Sequence, residues 1–435
     1  MTNMPKHICI IGNGIAGITA ARHIRKLSDY KITVISAESK YFYSRTALMY
    51  VYMGHMKLEH IKPYEDWFWE KNRIDLVHNH VESIDFKANK IHLKDNESIS
   101  YDELVLATGS IPNMFGWPGQ NLKGVQGLYS IQDLEKMESA TKNVKSAVIV
   151  GGGLIGVEMA EMLISRKIKV TFLARESNFW DNVLPIEEAQ LIEREIIKHG
   201  VDLRLNTEIL EIIGDANGKV KAVKTKQGET TEAEFVGLTV GVSPNIGFLE
   251  NTDLEMNRGI LVDENLKTNI QNIYAIGDCV EHKSPPAGRR NIEQIWYTGK
   301  IMGETLAKTL TGNVSKYEPG TFYNSAKFFD IEYSVYGDIN SKLIEGEDSF
   351  YWQNEKNNKC LRINYDSKTE QIVGIHAFGI RLRAKTCLDW IENKANFKTV
   401  LSEIEKANFE PEFSKNYLID LKKSHRDDQH NNNGL

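Results

Sequence analysis

The chain has 435 residues, enough for two or three domains that each bury a hydrophobic core. Hydrophobic residues make up 41% and charged residues 26%, which is typical of soluble globular proteins. The net charge of −6 and the isoelectric point near 6.1 argue against a nucleic-acid-binding surface.

The first predicted element is a strand at His7–Ile11, and no charged and apolar leader precedes it. No run of about 18 consecutive apolar residues occurs in the sequence, so we expect no membrane span. Together these features predict a cytoplasmic location.

A glycine signature, Gly12–Gly17, follows this strand and opens a predicted helix at 15–27, after which a second strand is predicted at 32–35. In this context G-x-G-x-x-G is typical of a dinucleotide-binding turn. The first glycine allows the tight turn, the second lets a diphosphate approach the backbone, and the third allows close packing of helix and strand. The helix N-terminus then offers N–H groups to the anion.

The next part of the chain carries an aromatic-rich stretch, 41–69, and predicted strands at 74–78 and 91–94. An apolar run at 104–109 reads as a buried parallel strand that ends in Thr-Gly. The segment 110–122 is rich in proline, glycine and asparagine, so we expect the chain to cross between domains there.

A second glycine signature, Gly151–Gly156, lies about 140 residues after the first and again stands between a predicted strand and a predicted helix. A single G-x-G-x-x-G is weak evidence, but two copies in the same context predict two bound dinucleotides. Further elements are predicted for this region: strands at 169–173 and 235–240, a helix at 187–199 and a turn at 217–218.

The chain is expected to return to the first domain near 246, because 272–278 is again a strand that ends in a polar turn. Beyond Phe322, short alternating stretches predict an antiparallel sheet, followed by a helix at 384–393. The last residues are polar and asparagine-rich, so they are predicted to be a disordered tail.

Four motifs in this order resemble the pyridine nucleotide–disulfide oxidoreductase family of flavoproteins with two dinucleotide-binding domains. Along the chain they are Gly12–Gly17, Ala107–Pro112, Gly151–Glu158 and Tyr274–Asp278. The resemblance implies an α/β fold in which a Rossmann-like FAD domain is interrupted by a Rossmann-like NAD(P) domain and followed by a C-terminal α+β interface domain. It implies the following boundaries: FAD-binding domain, 1–114 and 246–322; NAD(P)-binding domain, 115–245; interface domain, 323–420; disordered tail, 421–435.

The same resemblance assigns the first turn to FAD. Asp278 matches the carboxylate that reaches the ribityl chain or diphosphate, and Glu38 lies where a carboxylate can accept from the adenosine ribose. The stretch Tyr43–Leu48 resembles the Y-x-R-P-x-L motif of ferredoxin, rubredoxin and nitrite reductase-like branches, in which the arginine stands over the adenosine diphosphate, although Thr46 replaces the proline. The implied FAD-binding residues are Gly12, Gly14, Ile15, Ala16, Gly17, Glu38, Arg45, Ala107, Thr108, Gly109, Gly277, Asp278, Trp296 and Tyr297.

The second turn is assigned by the resemblance to NAD(P)H. Arg175, at the end of the following strand, could meet a 2′-phosphate and favours NADPH, whereas the adjacent Glu176 could serve the ribose of NADH. Glu158 matches a family glutamate beside the nicotinamide and is the candidate catalytic residue. The implied NAD(P)-binding residues are Gly151, Gly153, Leu154, Ile155, Gly156, Glu158, Arg175 and Gly241.

No cysteine occurs between Cys9 and Cys279, so the redox cysteine of the family's disulfide reductases is missing. The cysteines also lack zinc-ligand spacing, and we predict no metal site. The sequence therefore predicts an FAD-dependent NAD(P)H oxidoreductase that reduces a small redox protein or soluble acceptor. Three alternatives stay open: a nucleotide-regulated flavoprotein with a binding or signalling role, an NAD(P)H oxidase, and a disulfide or coenzyme A-disulfide reductase using Cys279, Cys360 or Cys387. A homodimer is also compatible with the resemblance.

Overall fold

The computed structural model describes residues 5–410, 412 and 415–422. Its strands, in chain order, are β1 His7–Ile11, β2 Lys31–Ser36, β3 Ile74–His78, β4 Val81–Asp85, β5 Lys90–Leu93, β6 Ser98–Ser100, β7 Glu103–Leu106, β8 Ser110–Pro112, β9 Val125–Gln126, β10 Ser146–Val150, β11 Lys169–Leu173, β12 Asp202–Arg204, β13 Ile209–Gly214, β14 Val220–Thr225, β15 Thr230–Glu232, β16 Phe235–Leu238, β17 Val242–Pro244, β18 Ile260–Val262, β19 Ile273–Ala275, β20 Val280–His282, β21 Tyr323–Phe328, β22 Ile331–Gly337, β23 Glu347–Gln353, β24 Cys360–Asp366 and β25 Ile372–Phe378. The α-helices include α1 Ile15–Leu27, α2 Leu48–Tyr52, α3 Trp67–Lys71, α4 Ile131–Thr141, α5 Leu154–Ser165, α6 Ile186–Lys198, α7 Trp296–Leu310, α8 Ala384–Glu392 and α9 Phe397–Glu403.

The first sheet has five parallel strands in the order β19-β7-β1-β2-β3. Its central strands are continuous apolar runs because both faces are covered. Helix α1 packs against α7 so closely that a Cβ on Gly303 would lie 2.6 Å from the Ala16 carbonyl oxygen. Three-stranded β4-β5-β6 is an antiparallel meander, of which the sequence predicted one strand.

A second five-stranded sheet has the order β12-β11-β10-β16-β9. Strands β12, β11, β10 and β16 pair in parallel, as in the first sheet. An antiparallel sheet, β13-β14-β15, accompanies it. The two parallel sheets confirm the predicted α/β fold with two Rossmann-like units.

The C-terminal part contains an antiparallel sheet with the order β21-β22-β25-β24-β23. Helices α8 and α9 share one apolar core with this sheet. This architecture confirms the predicted α+β class of the C-terminal region.

Contacts divide the chain into two compact units. Of the described residues, the first unit contains those up to Phe115, Gln126–Asn143 and Gly241–Pro319; the second contains Gly116–Val125, Val144–Val240 and those from Gly320 onward. Helix α4, which was not predicted, therefore belongs with the first unit, although its residues fall within the predicted NAD(P)-binding domain, 115–245. The predicted domain boundaries do not follow this grouping and stay predictions.

The predicted tail, 421–435, lies outside the described residues apart from its first two. Leu421 is buried in the core of the C-terminal region. That part of the predicted tail is thus packed.

Candidate dinucleotide sites

The first glycine turn has the steric pattern that a dinucleotide-binding turn needs. Gly12 has φ +112°, and a Cβ there would lie 2.0 Å from the Ala107 carbonyl oxygen. A Cβ on Gly17 would lie 2.1 Å from the Gly12 carbonyl oxygen, so α1 sits directly against the turn. By contrast, a Cβ on Gly14 would have no atom within 4 Å. The turn is closed on the protein side and open on the other.

The N-terminus of α1 faces this opening without a competing anion. Gly14 is the N-cap residue and offers no side chain, and the first turn, which begins with Ile15 and Ala16, contains no acidic residue. Its free N–H groups and the positive end of the helix dipole suit a diphosphate. These features fit FAD as the group that the resemblance implies.

The turn is held in place by β2, the neighbouring strand. The Gly12 N–H donates to the Ile35 carbonyl at 2.8 Å. Asn13 accepts from the Ser36 hydroxyl at 3.0 Å and donates through its amide to the Ser39 carbonyl at 2.7 Å. Asn13 thus fixes the turn against the segment that leads to Glu38.

Glu38 and Arg45 are paired with each other. The guanidinium Nη1 and Nη2 donate to the two carboxylate oxygens at 3.0 and 2.7 Å. The Tyr43 hydroxyl and the Ile131 N–H, at the start of α4, also donate to this carboxylate. Burial by itself raises the pKa of Glu38, but the hydrogen bonds and charge of Arg45 outweigh it and hold the pKa below its usual range. The structure therefore brings both predicted residues together as an ion pair.

The carboxyl end of β7 lies beside the short turn that follows β19. Ala107 packs against the first glycine turn, and the Thr108 hydroxyl donates to the Asn245 carbonyl at 2.8 Å. A Cβ on Gly277 would lie 2.9 Å from the Cβ of Ala16, which brings the Gly277-Asp278 turn against the start of α1. Asp278 is half-buried and points into this group, where burial raises the pKa of its carboxyl.

Three residues that the sequence did not select complete this cluster. The Ser110 hydroxyl and the Tyr129 hydroxyl lie 3.3 and 3.4 Å from Oδ2 of Asp278, and the Gln294 amide donates to the Ser110 hydroxyl at 2.8 Å. Ser110 lies within the Ala107–Pro112 motif and could have been selected from it. The sequence points to Tyr129 only indirectly, through the capping pattern Ser130–Asp133 that begins α4 one residue later.

Trp296 and Tyr297 begin α7. Their rings meet edge to face with centroids 5.2 Å apart, and Trp296 is exposed. Their predicted position beside the flavin ring stays a prediction.

The second glycine turn repeats the steric pattern of the first. Gly151 has φ +118°, and a Cβ there would lie 2.5 Å from the Thr239 carbonyl oxygen. A Cβ on Gly156 would lie 2.6 Å from the Gly151 carbonyl oxygen, whereas one on Gly153 would meet nothing within 4 Å. Helix α5, which begins with Leu154 and Ile155, has neither a side-chain cap nor an acidic residue in its first turn. A second diphosphate fits here for the same reasons.

Glu176, rather than Arg175, lies over this turn. Its Oε2 is 3.3 Å from the position of a Cβ on Gly152, and that oxygen is buried without a partner among the described residues. The Arg175 side chain is 76% exposed and turns back to donate from Nε to Oε1 of Glu176 at 2.8 Å. A carboxylate is thus the group nearest the turn.

Glu158 lies one helical turn after the start of α5. Burial, with a smaller contribution from Glu161, raises the pKa of its carboxyl to about 7. Glu161 is itself paired with Lys327 of β21 at 2.9 Å. Gly241 belongs to the first unit, and a Cβ there would be 3.3 Å from the amide nitrogen of Asn113 in the same unit.

All four cysteines are buried free thiols. Burial raises the pKa of each, to about 12 for Cys9 and for Cys387. The Cys279 sulfur lies 3.3 Å from the Ile276 carbonyl oxygen, within the core of the first unit. None has the exposed, ionisable character of a redox cysteine.

Among the described residues, one group of side chains has metal-ligand composition: Glu195, His199 and Asp330. Glu195 lies at Nδ1 of His199 and Asp330 at Nε2, so no single ring nitrogen faces both carboxylates. Lys198 also lies 3.2 Å from Glu195. The group is therefore an ion-pair cluster. Within the described ranges, no helix combines the length and apolarity needed to cross a membrane.

Comparison with known proteins points to one family of oxidoreductases. The family model described as pyridine nucleotide-disulphide oxidoreductase matches residues 6–299. The chain is 30% identical over 403 residues to the nitrite reductase [NAD(P)H] of Bacillus subtilis, covering 90% of this chain and 48% of that protein. It is 30% identical over 276 residues to a rubredoxin-NAD(+) reductase of Pseudomonas putida, covering 62% of this chain and 71% of the relative.

Among solved structures, the covalent putidaredoxin reductase–putidaredoxin complex superposes with a TM-score of 0.81 at 21% identity, covering 93% of this chain and 99% of that one. This likeness concerns the fold. The chain spans about half the length of the Bacillus nitrite reductase. The extent of the family match, together with the two glycine turns, shows that the chain belongs to the pyridine nucleotide-disulphide oxidoreductase family.

Proposed function

We propose that the chain is an FAD-dependent NAD(P)H oxidoreductase that delivers electrons to a small redox protein or a soluble acceptor. The observation that carries the proposal is the pair of glycine turns: one is open in front of Gly14 and the other in front of Gly153, and each faces a helix N-terminus without a side-chain cap. Membership in the family and the names of the relatives support the reaction type.

The first turn would hold FAD. The N–H groups of α1 would bind its diphosphate, Asp278 would accept from the ribityl chain, and the Glu38–Arg45 pair would bind the adenosine end. When bound, the flavin supplies the hydride-accepting centre and can release electrons singly or in pairs. The contribution of the protein is then orientation and water exclusion.

The second turn would hold the nicotinamide coenzyme, and its contacts favour NADH. The sequence favoured NADPH because of Arg175, but that side chain is exposed and paired, while Glu176 has a buried oxygen without a partner over the turn. A carboxylate there can accept from both hydroxyls of a ribose and repels a 2′-phosphate. We therefore propose NADH as the preferred donor, with Glu176 as its ribose ligand.

The acceptor is proposed to lie outside the chain. A disulfide or coenzyme A-disulfide reductase needs a thiolate, and the four thiols of this chain are buried with raised pKa values. The rubredoxin reductase among the relatives reduces, by its name, a small redox protein. A carrier of that class is the proposed partner, and homodimer formation remains a prediction to be tested by light scattering.

Anaerobic stopped-flow reduction of the purified flavoprotein tests the reaction. We expect NADH to bleach the visible flavin band within one turnover, and a one-electron acceptor protein to restore it. If neither NADH nor NADPH bleaches the band, the proposal is wrong. A long-lived reduced complex that no acceptor reoxidises would favour the nucleotide-regulated alternative, and fast reoxidation by oxygen alone would favour an oxidase.

Two variants test the coenzyme assignment. Glu176→Ala should raise the apparent Kd for NADH about tenfold, because two ribose hydrogen bonds are lost, and should change that for NADPH little. Arg175→Ala is the matched control, and we expect little change for either coenzyme. A larger loss of NADPH affinity in Arg175→Ala than of NADH affinity in Glu176→Ala would reverse the assignment.

A further inference from the structure

Tyr129 occupies a fixed position at the N-terminus of α4. The Tyr129 and Ser130 N–H groups both donate to Oδ2 of Asp133, at 3.0 and 2.9 Å, and the Ser130 hydroxyl accepts from the Asp133 N–H at 3.1 Å. This reciprocal capping box fixes the backbone that precedes the helix. The Tyr129 side chain therefore projects from a rigid anchor.

The Tyr129 hydroxyl lies at the carboxyl end of β7. It accepts from the Ser110 N–H at 3.1 Å and donates to Oδ2 of Asp278 at 3.4 Å. The contact with the strand end is close, since a Cβ on Gly109 would lie 2.9 Å from the hydroxyl oxygen. Any residue larger than glycine at 109 would displace this hydroxyl.

The ring and the carbonyl of Tyr129 hold Arg45. The guanidinium carbon lies 4.2 Å from the ring centroid, within the range of a cation–π contact, and Nη1 donates to the Tyr129 carbonyl oxygen. The same guanidinium binds Glu38 with both terminal nitrogens. Tyr129 consequently contacts residues predicted for both ends of FAD: Arg45 at the adenosine end and Asp278 at the ribityl end.

The carboxylate of Asp278 is held on one side only. Its Oδ2 receives the hydroxyls of Tyr129 and Ser110, and Ser110 is in turn fixed by the Gln294 amide at 2.8 Å. Its Oδ1 has no protein hydrogen bond within the described part of the chain. This one-sided arrangement leaves one oxygen available for a ligand hydroxyl.

We propose that Tyr129 is a positioning residue for FAD: its hydroxyl, together with that of Ser110, fixes Asp278 so that Oδ1 accepts from the ribityl chain, while its ring and carbonyl orient Arg45. The proposal rests on the proposed binding of FAD to the first turn. It adds a residue, and a connection between the two ends of the cofactor, that the family motifs in this sequence do not contain.

The electrostatics of the cluster agree with a donor role for Tyr129. Burial raises the pKa of its phenol to about 12, so it stays protonated at all physiological pH values. Burial also raises the pKa of Asp278, which Arg45, Ser110 and Tyr129 oppose. Besides these groups, the neighbouring thiol of Cys279 is buried and protonated. Loss of the Tyr129 hydroxyl should therefore raise the pKa of Asp278 further and favour its neutral form.

The test measures FAD binding to the full-length protein by flavin fluorescence between pH 5 and 8, as a function of the variant. Tyr129→Phe keeps the ring over Arg45 and removes only the donor. We expect about tenfold weaker binding at neutral pH, and a loss of affinity on acidification that begins about one pH unit higher than in the wild type. Tyr129→Leu, which also removes the ring, should weaken binding more at every pH.

Tyr101→Phe is the matched control. Tyr101 is a buried tyrosine of the same unit near the opposite end of β7, and its hydroxyl is without a partner among the described residues. This control should bind FAD with wild-type affinity and pH dependence, and the melting temperatures of the flavin-free proteins report any general loss of folding.

The inference would be wrong if the wild-type protein binds FAD and Tyr129→Phe binds it with the same affinity and loses it at the same pH on acidification. The proposed function would then be unaffected. The inference would also fail if Tyr101→Phe weakened binding as much as Tyr129→Phe. Failure of the wild-type protein to bind FAD would instead remove the proposed function on which the inference rests.

Discussion

Gly14 and Gly153, the middle glycines of the two G-x-G-x-x-G motifs, have open space around them, whereas the outer glycines of each motif pack against backbone. A methyl group at Gly12 or Gly17 would overlap protein backbone, whereas at Gly14 it would project into open space. The same distinction separates Gly153 from Gly151 and Gly156. Packing and binding therefore place separate demands on glycines of one motif, and single substitutions can separate them.

Gly14→Ala and Gly17→Ala form a pair that tests this separation. Gly17→Ala should lower the free energy of unfolding by about 1–3 kcal/mol, because α1 must move away from the turn. Gly14→Ala should change it by less than about 1 kcal/mol, since Gly14 has φ −68° and room for a methyl group, and the lower entropy of the unfolded chain offsets the poorer N-cap. Thermal melts of the flavin-free proteins measure both effects.

The same two variants should differ in FAD binding. Gly14→Ala should weaken binding at least about tenfold, because its methyl group points to where the diphosphate must approach. Normal FAD affinity in Gly14→Ala would contradict the assignment of that space to the diphosphate.

Glu158 should make coenzyme binding depend on pH. Its carboxyl has a pKa raised to about 7, so it is neutral in acid and ionised in mild alkali. Because an ionised carboxylate on α5 repels the anionic coenzyme, we expect the Kd for NADH to rise a few-fold as the pH increases through about 7. Glu158→Gln should abolish this dependence, measured by coenzyme titration between pH 6 and 8.5. A wild-type Kd that stays constant over this range would contradict the prediction.

At the scale of elements, a buried ion pair joins α6 to the C-terminal sheet. Arg362 of β24 donates to both oxygens of Glu188, at 2.6 and 3.0 Å, and also to the carboxylate of Glu187 at 2.8 Å. Glu188 is fully buried, and His376 of β25 lies 3.8 Å from it. Burial raises the pKa of Glu188, but His376 and Arg362 outweigh this effect and hold it below its usual range. The ion pair therefore holds the C-terminal sheet against helix α6.

Arg362→Met should destabilise the protein by about 3–5 kcal/mol, because it leaves a buried carboxylate without its partner. Removing both charges in Glu188→Leu with Arg362→Met should recover most of this loss. Lys385→Ala is a control, because its partner Asp389 lies on the exposed face of α8, and we expect a change of about 1 kcal/mol or less. Urea unfolding measures all three.

The pH dependence of these variants follows from the sign of the shift. Since the pKa of Glu188 is lower in the folded protein, its contribution to stability is present above its unfolded pKa of about 4.3 and is lost as the pH falls. The double variant should therefore lose less stability than the wild type as the pH falls from about 5 to about 3. An equal loss in both proteins would exclude this origin.

For the molecule as a whole, the distribution of cysteines favours electron transfer without a protein thiol. All four are buried: Cys9 and Cys279 lie in the core of the first unit, and Cys360 in β24 and Cys387 in α8 lie in the C-terminal region. The flavin would thus be the last redox group of this chain before the acceptor.

Thiol labelling tests this conclusion. With an aromatic disulfide reagent, the native protein should show almost no fast-reacting thiol, whereas the denatured protein should show four. Treatment of the native protein with an alkylating reagent should leave reduction of the flavin by NADH unchanged. If one thiol of the native protein reacts rapidly and the protein then no longer reduces its acceptor, the disulfide reductase alternative would be favoured.

Local patterns in the sequence were sufficient for the parallel sheets, since apolar runs and glycine spacing depend on near neighbours in the chain. The predicted strand at 104–109 ends at Leu106 in the structure, because Thr108 and Gly109 already turn toward the Asn245 segment. Helices α4 and α9, of 11 and 7 residues, were not predicted, because their apolar faces are defined by partners that are distant in the sequence.

The sequence by itself determined the two glycine turns, the motif residues Asp278 and Arg45, and the absence of a cysteine between Cys9 and Cys279. Only the tertiary structure decided which side chains stand beside them. It paired Glu38 with Arg45, placed Glu176 rather than Arg175 over the second turn, and brought Tyr129 to Asp278 across 149 positions of sequence. A motif fixes backbone geometry over a few residues, whereas a hydrogen bond between distant side chains depends on how the whole chain packs.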